Sequence, residues 1–271
     1  MPGIDIRTLE DGRTEITPSQ SWLGTAFNCM EQARLEMVGE MPRVETDATA
    51  IGTSMHTGIE AVLRDGVTLD EGEAVARATF ETLSQSDEFA WVQVKTLDTA
   101  LNTVSRVYWS WANEILPQLP DTVAIEHKFD VNLYEDDEMV IRLKGAMDFV
   151  GMEHEDKPVI WDWKTANRAY EPWEKERWAI QPTIYTYALA QEYGEDQQYD
   201  FTFAVCLKPR QDVQIVTVNR NSGHWDWLQK QVISFVHLIR ADLPVWPLRD
   251  QHALCSPKWC PVYSNCKGAH V

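Results

Sequence analysis

Residues 158–164 read Pro-Val-Ile-Trp-Asp-Trp-Lys, an apolar strand pattern with two charges set into it. A charged pair inside such a strand is costly unless something compensates it. Asp162 and Lys164 are two residues apart, so they point to the same side of their strand. Gly145-Ala-Met-Asp148 lies on the preceding predicted strand, joined by a hairpin, and Asp148 can face them. Two carboxylates converging from neighbouring strands make a hard oxygen site suited to Mg²⁺ or Mn²⁺. A lysine beside them can position or deprotonate a water and can offset charge building on a phosphate. Those are the parts that phosphodiester hydrolysis needs. A lone Asp-x-Lys is more often a salt bridge on an edge strand. Here Trp161 and Trp163 flank the pair and favour a site.

Around that centre the chain changes period. The first 17 or so residues read as a loose arm. Thr17-Pro18-Ser19 is a helix start, and Trp22, Phe27, Met30, Leu35 and Val38 follow at helical spacing. Further helices are predicted near 50–63, 69–83 and 89–116, the last ended by Pro117. Strands follow over 122–133, 139–152 and 158–164, with acidic turns between them. A helix over 172–193, strands over 199–208 and 213–219 and a helix over 223–241 complete the order. The final residues, from Leu243, are rich in Pro, Trp and Cys without periodicity. The division predicted is a helical region (1–121), a catalytic core (122–242) and a cysteine-bearing tail (243–271) forming one compact unit with residues 1–38. The 12 tryptophans imply many aromatic core anchors.

The formal charge of −18 argues against a general nucleic-acid-binding surface. Its distribution weakens that objection. Residues 1–140 hold 9 basic and 26 acidic residues, whereas residues 141–271 hold 15 and 16. Any DNA path is therefore expected mainly on the second half. Arg168, Lys175, Arg177, Lys208, Arg210 and Lys230 form a pool for phosphates, and Trp163, Tyr170 and Trp173 a pool for base stacking. The polar start lacks a signal peptide and no apolar run matches a membrane span, so a cytoplasmic protein without membrane contact is expected.

Five cysteines in such a protein suggest metal or redox chemistry rather than disulfides. Cys255, Cys260 and Cys266 form a C-x4-C-x5-C run in the tail, and Cys29 stands alone near the N-terminus. Three clustered thiolates plus a distant one suit zinc or an iron–sulfur cluster, and the wide spacing fits a larger cubane better than paired zinc knuckles. Cys206, inside an apolar strand, reads as a buried core thiol. On helices, His56 is a candidate ligand, and Gln181 and Tyr185, four apart, share a face.

Together these motifs resemble the RecB-like exonucleases of the PD-(D/E)XK nuclease superfamily, especially its iron–sulfur branch, which includes CRISPR-associated nucleases, the AddB nuclease domain and phage exonucleases. Thr17-Pro-Ser with Cys29, Gly52-x3-His56, Glu126, Gly145-x2-Asp148, Asp162-x-Lys164, Gln181-x3-Tyr185 and the cysteine triplet carry the resemblance in order. It implies an α/β (α+β) fold with a restriction-endonuclease-like core, a central mixed sheet flanked by helices. It implies His56, Asp148, Asp162 and the Trp163 carbonyl as Mn²⁺ or Mg²⁺ ligands. Lys164 would be the catalytic lysine, with Gln181 and Tyr185 orienting it and touching DNA. Cys29, Cys255, Cys260 and Cys266 would hold a 4Fe–4S cluster. This sequence departs from the commonest pattern in having Asp at 162 and C-x4-C where C-x2-C is usual. The expected activity is a metal-dependent DNA exonuclease on single strands or ends, serving recombination, repair, phage replication or CRISPR adaptation. With no G-x4-G-K-[ST] phosphate loop, a helicase or recombination partner would do any unwinding. The alternatives are a non-catalytic DNA-binding or assembly module with the same fold, and a zinc-stapled protein of unrelated function.

Overall fold

The computed structural model describes residues 3–39, 44–154, 157–250 and 254–266. The chain opens with a hairpin, β1 (Ile4–Thr8) and β2 (Thr14–Pro18), which the alternation of Ile4, Ile6 and Ile16 against polar neighbours explains. The predicted loose arm is thus part of the sheet: β2 runs parallel to β4 and Ile16 is fully buried. The hydroxyl of Ser19 then accepts the N–H of Trp22 and starts α1 (Gln20–Asn28). At Cys29 the backbone is extended, φ −154°, and α2 (Met30–Met37) begins anew, so the predicted single helix is two.

Helices α3 (Asp47–Asp65), α4 (Leu69–Ser84) and α5 (Leu97–Ser110) follow. The helix expected from residue 89 starts only at 97. The buried Asp47 carboxylate accepts the backbone N–H groups of Val92, Gln93 and Val94 and holds that segment as a loop. Residues Trp111–Ile115 extend α5 as a π-turn.

Strands β3 (Asp121–Glu135), β4 (Met139–His154) and β5 (Lys157–Ala166) form a meander. The predicted helix 172–193 is two, α6 (Pro172–Trp178) and α7 (Ile180–Tyr193). They part because Ala179 is extended and the Arg220 guanidinium donates to the carbonyls of Glu176 and Ala179. Strands β6 (Tyr199–Leu207) and β7 (Val213–Arg220) and helix α8 (Ser222–Arg240) complete the core.

The mixed sheet runs β1-β2-β4-β5-β6-β7, with β3 along the other side of β4. Strands β5 and β6 are parallel; β6 and β7 are antiparallel. Each sheet face buries its own core. One, with Trp22, Leu23, Ile184, Leu189, Trp225 and Phe235, lies under α1, α7 and α8. The other, with Ile51, Met55, Phe80, Val104, Trp111, Trp161 and Trp163, lies under α3, α4 and α5. Cys206 is in the second core, as expected, and burial pushes its thiol up to about 12. Among the described residues no helix is long and apolar enough to cross a membrane.

Helices α3 and α4 approach closely where Gly58 meets Gly72; a Cβ on Gly58 would lie 2.6 Å from the Gly72 carbonyl oxygen. An unhindered Gly→Ala change inside a helix gains about 1 kcal/mol. At Gly58 the sign reverses, because overpacking costs about 1–3 kcal/mol. Gly58→Ala is therefore expected to lower the denaturation midpoint, and a raised midpoint would show that the two helices can move apart freely.

Candidate functional site

The site forms where the sheet opens. Antiparallel pairing of β4 with β5 runs from His154–Lys157 to Phe149–Trp161 and stops. One residue further, β5 continues along β6 alone, and the earlier half of β4 turns to β2. In the gap, Asp148 Oδ2 accepts the Trp163 N–H at 2.7 Å. A side-chain carboxylate thus takes over the ladder bond that the diverging strand no longer makes.

A second irregularity lies on the other side of β4. The β3–β4 ladder pairs Ile125 with Phe149 and His127 with Met147, but the rung between Glu126 and Asp148 is missing. Glu126 has φ +51°, the left-handed region that non-glycine residues rarely occupy. This strained residue sets the Glu126 carboxylate beside Asp148. His56 reaches the same point from α3, with Nε2 2.7 Å from the Trp163 carbonyl and Nδ1 3.5 Å from Asp148 Oδ2. One ligand atom from each of His56, Glu126 and Asp148 lies within 4.8 Å of the others. An imidazole and two carboxylates so placed can hold a divalent cation.

The three groups perturb one another's protonation. Burial, then the charge of Asp162, pushes the Asp148 carboxyl up to about 8. Burial, then Asp148 and Glu60, raises Glu126. Burial, then Lys164, lowers His56, so its imidazole tends to be neutral.

Asp162 and Lys164 occupy the α7 side of the gap. The sequence places them on one side of β5, and Lys164 Nζ lies 2.6 Å from Asp162 Oδ2. Gln181 Nε2 donates to Asp162 Oδ1 at 2.7 Å and its side chain also bonds Tyr185. Tyr185 is buried against Phe129 and Phe201. Although burial opposes it, Asp162 and then Asp148 hold the Lys164 ammonium above the ordinary lysine range. Of the four expected metal ligands, His56, Asp148 and the Trp163 carbonyl converge directly, whereas Asp162 turns to Lys164 and Gln181. Glu126, which the resemblance marks only as a first-strand glutamate, takes the place beside the histidine. The left-handed backbone that aims it there leaves no signal in the residue types.

The four expected cluster cysteines share a cavity, but their sulfurs are not clustered. Cys29, at the break between α1 and α2, and Cys255, Cys260 and Cys266 of the tail line one cavity of about 320 Å³. Burial, then neighbouring thiolate charge, raises Cys255 and Cys260. No three of the four sulfurs lie within 4.8 Å of one another. Glu31 binds the tail to α2 nearby: it accepts the Trp246 N–H at 2.7 Å while pairing with Arg34.

The family model for the PD-(D/E)XK nuclease superfamily matches residues 17–267. Among solved structures, a Eubacterium rectale protein named as a candidate exonuclease superposes with a TM-score of 0.51 at 12% identity, over 88% of this chain and 86% of its own. A protein named SSO0001 aligns over 91% of this chain and 94% of its own at 11% identity, but its TM-score of 0.38 carries no argument. No curated protein matches the chain.

The raised Asp148 carboxyl fixes a pH dependence. Between the ordinary carboxylate range and about pH 8, the folded chain keeps a proton that the unfolded chain has released. Its contribution to stability therefore falls as pH rises through that window. A divalent cation bound at Asp148 displaces the proton and reverses the loss. Added Mn²⁺ is expected to raise the melting temperature more at about pH 8 than at about pH 5.5. Equal shifts at both would show that the ion binds elsewhere.

Proposed function

Because the chain belongs to the PD-(D/E)XK nuclease superfamily, we propose that it is a metal-dependent deoxyribonuclease, an exonuclease acting on DNA ends or single strands. The observation that carries the reading is the convergence of His56, Glu126 and Asp148, with the Asp162–Lys164 pair beside them, where β4 and β5 part. Buried charges of this kind are costly, and a divergent chain with no catalytic duty would gain stability by losing them. That argues against a non-catalytic DNA-binding module.

His56, Glu126 and Asp148 would hold Mg²⁺ or Mn²⁺, with the Trp163 carbonyl and Asp162 beside it. When bound, such an ion supplies Lewis acidity towards a phosphate and activates a water. Lys164 is held charged by Asp162, so its part is to position the water and offset charge on the phosphate rather than to remove a proton. Gln181 fixes the Asp162 carboxylate through its amide, and Tyr185 in turn steadies Gln181.

We further propose that Cys29, Cys255, Cys260 and Cys266, which share one cavity, would hold a 4Fe–4S cluster of the RecB-like type rather than zinc. A tetrahedral zinc with sulfur at about 2.3 Å needs sulfurs about 3.8 Å apart. No three of the four sulfurs meet even within 4.8 Å, so a zinc site would need them to draw together, whereas a cubane takes thiolates further apart. The cluster would be a staple: Cys29 and Cys255 are more than 200 residues apart, and tying them removes much unfolded-chain entropy.

End-labelled linear DNA, single- and double-stranded, incubated with Mn²⁺ or Mg²⁺ against a chelator, is expected to lose its label only with metal. Asp162→Ala and Lys164→Ala should lower the rate at least ~100-fold while protein colour and melting temperature hold. Wild-type rates in Asp162→Ala would remove this site from consideration. Cys260→Ala should give colourless, less stable protein; a colourless variant of full stability would end the staple reading.

A further inference from the structure

Helix α6 is seven residues long and buries none of its side chains. It nevertheless carries two tryptophans, Trp173 at 53% and Trp178 at 62% exposure, packed edge to face on each other at 5.0 Å. Two large exposed aromatics on a helix with no core contribution have no explanation in folding. The helix is held from below by Arg220, whose guanidinium donates to its last carbonyls and to the Thr183 hydroxyl. The platform is therefore fixed while its upper face stays open.

That face borders a cleft of about 870 Å³ whose lining includes Lys164. Lys175, Arg177, Trp178 and Arg249 line it, as does Trp227 of α8, 49% exposed and stacked on Phe27. Lys175 lies over the Tyr170 ring at 3.6 Å, which steadies its ammonium in the lining. The one acidic side chain in the described lining is Glu176. In a chain of net charge −18, a cleft this basic is a local inversion of sign. The cleft across β5 is the opposite: Glu60, Glu126 and Asp148 line it, and only Lys164 borders both. Phosphates are repelled from the acidic side until a cation is present and are attracted along the basic side.

Resting on the nuclease reading, we propose that the α6 cleft is the track for single-stranded DNA, with Trp178 stacking on a base and Lys175 and Arg177 holding phosphates on the way to Lys164. A duplex keeps its base faces stacked inside and cannot use Trp178, whereas every unpaired base offers a flat face. The structure also narrows the sequence-derived pool. Trp163 and Lys208 are buried, with Lys208 donating to the Ala48 carbonyl, and neither faces this cleft.

The test is anisotropy binding of the whole chain, without added divalent metal, to a labelled thymidine oligonucleotide of about 15 nucleotides, to the same strand carrying abasic sugars, and to a blunt duplex. The intact strand is expected to bind about tenfold more tightly than the other two. Trp178→Ala should lose about tenfold on the intact strand and nothing on the abasic one, with Trp178→Phe restoring most of the loss. Its salt dependence should match wild type, while Lys175→Ala with Arg177→Ala should flatten the slope of log K against log salt by about 1.4. Equal binding of intact and abasic strands, or unchanged affinity in Trp178→Ala, would overturn the track. Metal-dependent cleavage alongside either result would leave the nuclease reading standing. Absent cleavage with a Trp178-dependent preference for the intact strand would sink that reading and keep the track.

Discussion

The hydrogen bond from the Trp163 N–H to the Asp148 carboxylate is the constraint on which the site depends. It bridges the gap where β5 leaves β4, at the edge of two hydrophobic cores that hold both strands rigidly. Without such an acceptor, a buried backbone donor would be orphaned at the divergence. The bond turns Asp148 into the gap, and the Trp163 carbonyl meets His56 there. A single rung of lost pairing thus sets a carboxylate, a carbonyl and an imidazole around one point.

The two faces of the sheet then divide the labour. Helix α3 delivers His56 from one side, while α7 delivers Gln181 and Tyr185 from the other. Lys164 reaches both clefts, which explains why its charge is worth keeping despite burial. The same polarity appears in the charge of the whole chain. Acidic groups gather in the cleft beside α3, and the α6 cleft is basic within a strongly anionic protein. An overall charge of −18 is therefore compatible with a nucleic-acid substrate, because the field that a strand meets is local.

The tail is joined to the core at several points. Glu31 receives the Trp246 N–H, and the break at Cys29 turns a helical residue into an extended one that faces the tail cysteines. The Cys29 cavity and the α6 cleft share Gly24, Asn28 and Arg249 as walls, so the packing of the tail bears directly on the entry to the site.

Residue types and spacing alone determined much of this. Period 2 through Ile160-Trp-Asp-Trp-Lys put Asp162 and Lys164 on one side of a strand, and i, i+4 spacing put Gln181 and Tyr185 on one helix face, because those geometries are local. The order of helices and strands was legible for the same reason, and so was the buried thiol of Cys206. The breaks were not. The helix expected from residue 89 starts only at Leu97, and the one expected over 172–193 breaks at Ala179, because of partners distant in sequence: the Asp47 carboxylate and the Arg220 guanidinium. The first residues join the sheet because β4 offers a free edge where it parts from β5. Glu126 stands beside His56 only because its backbone is forced left-handed, a strain that no residue type announces and that surrounding packing alone can hold. Local chemistry was written in the chain; which charges meet, and across which gap, was decided by contacts between residues far apart in it.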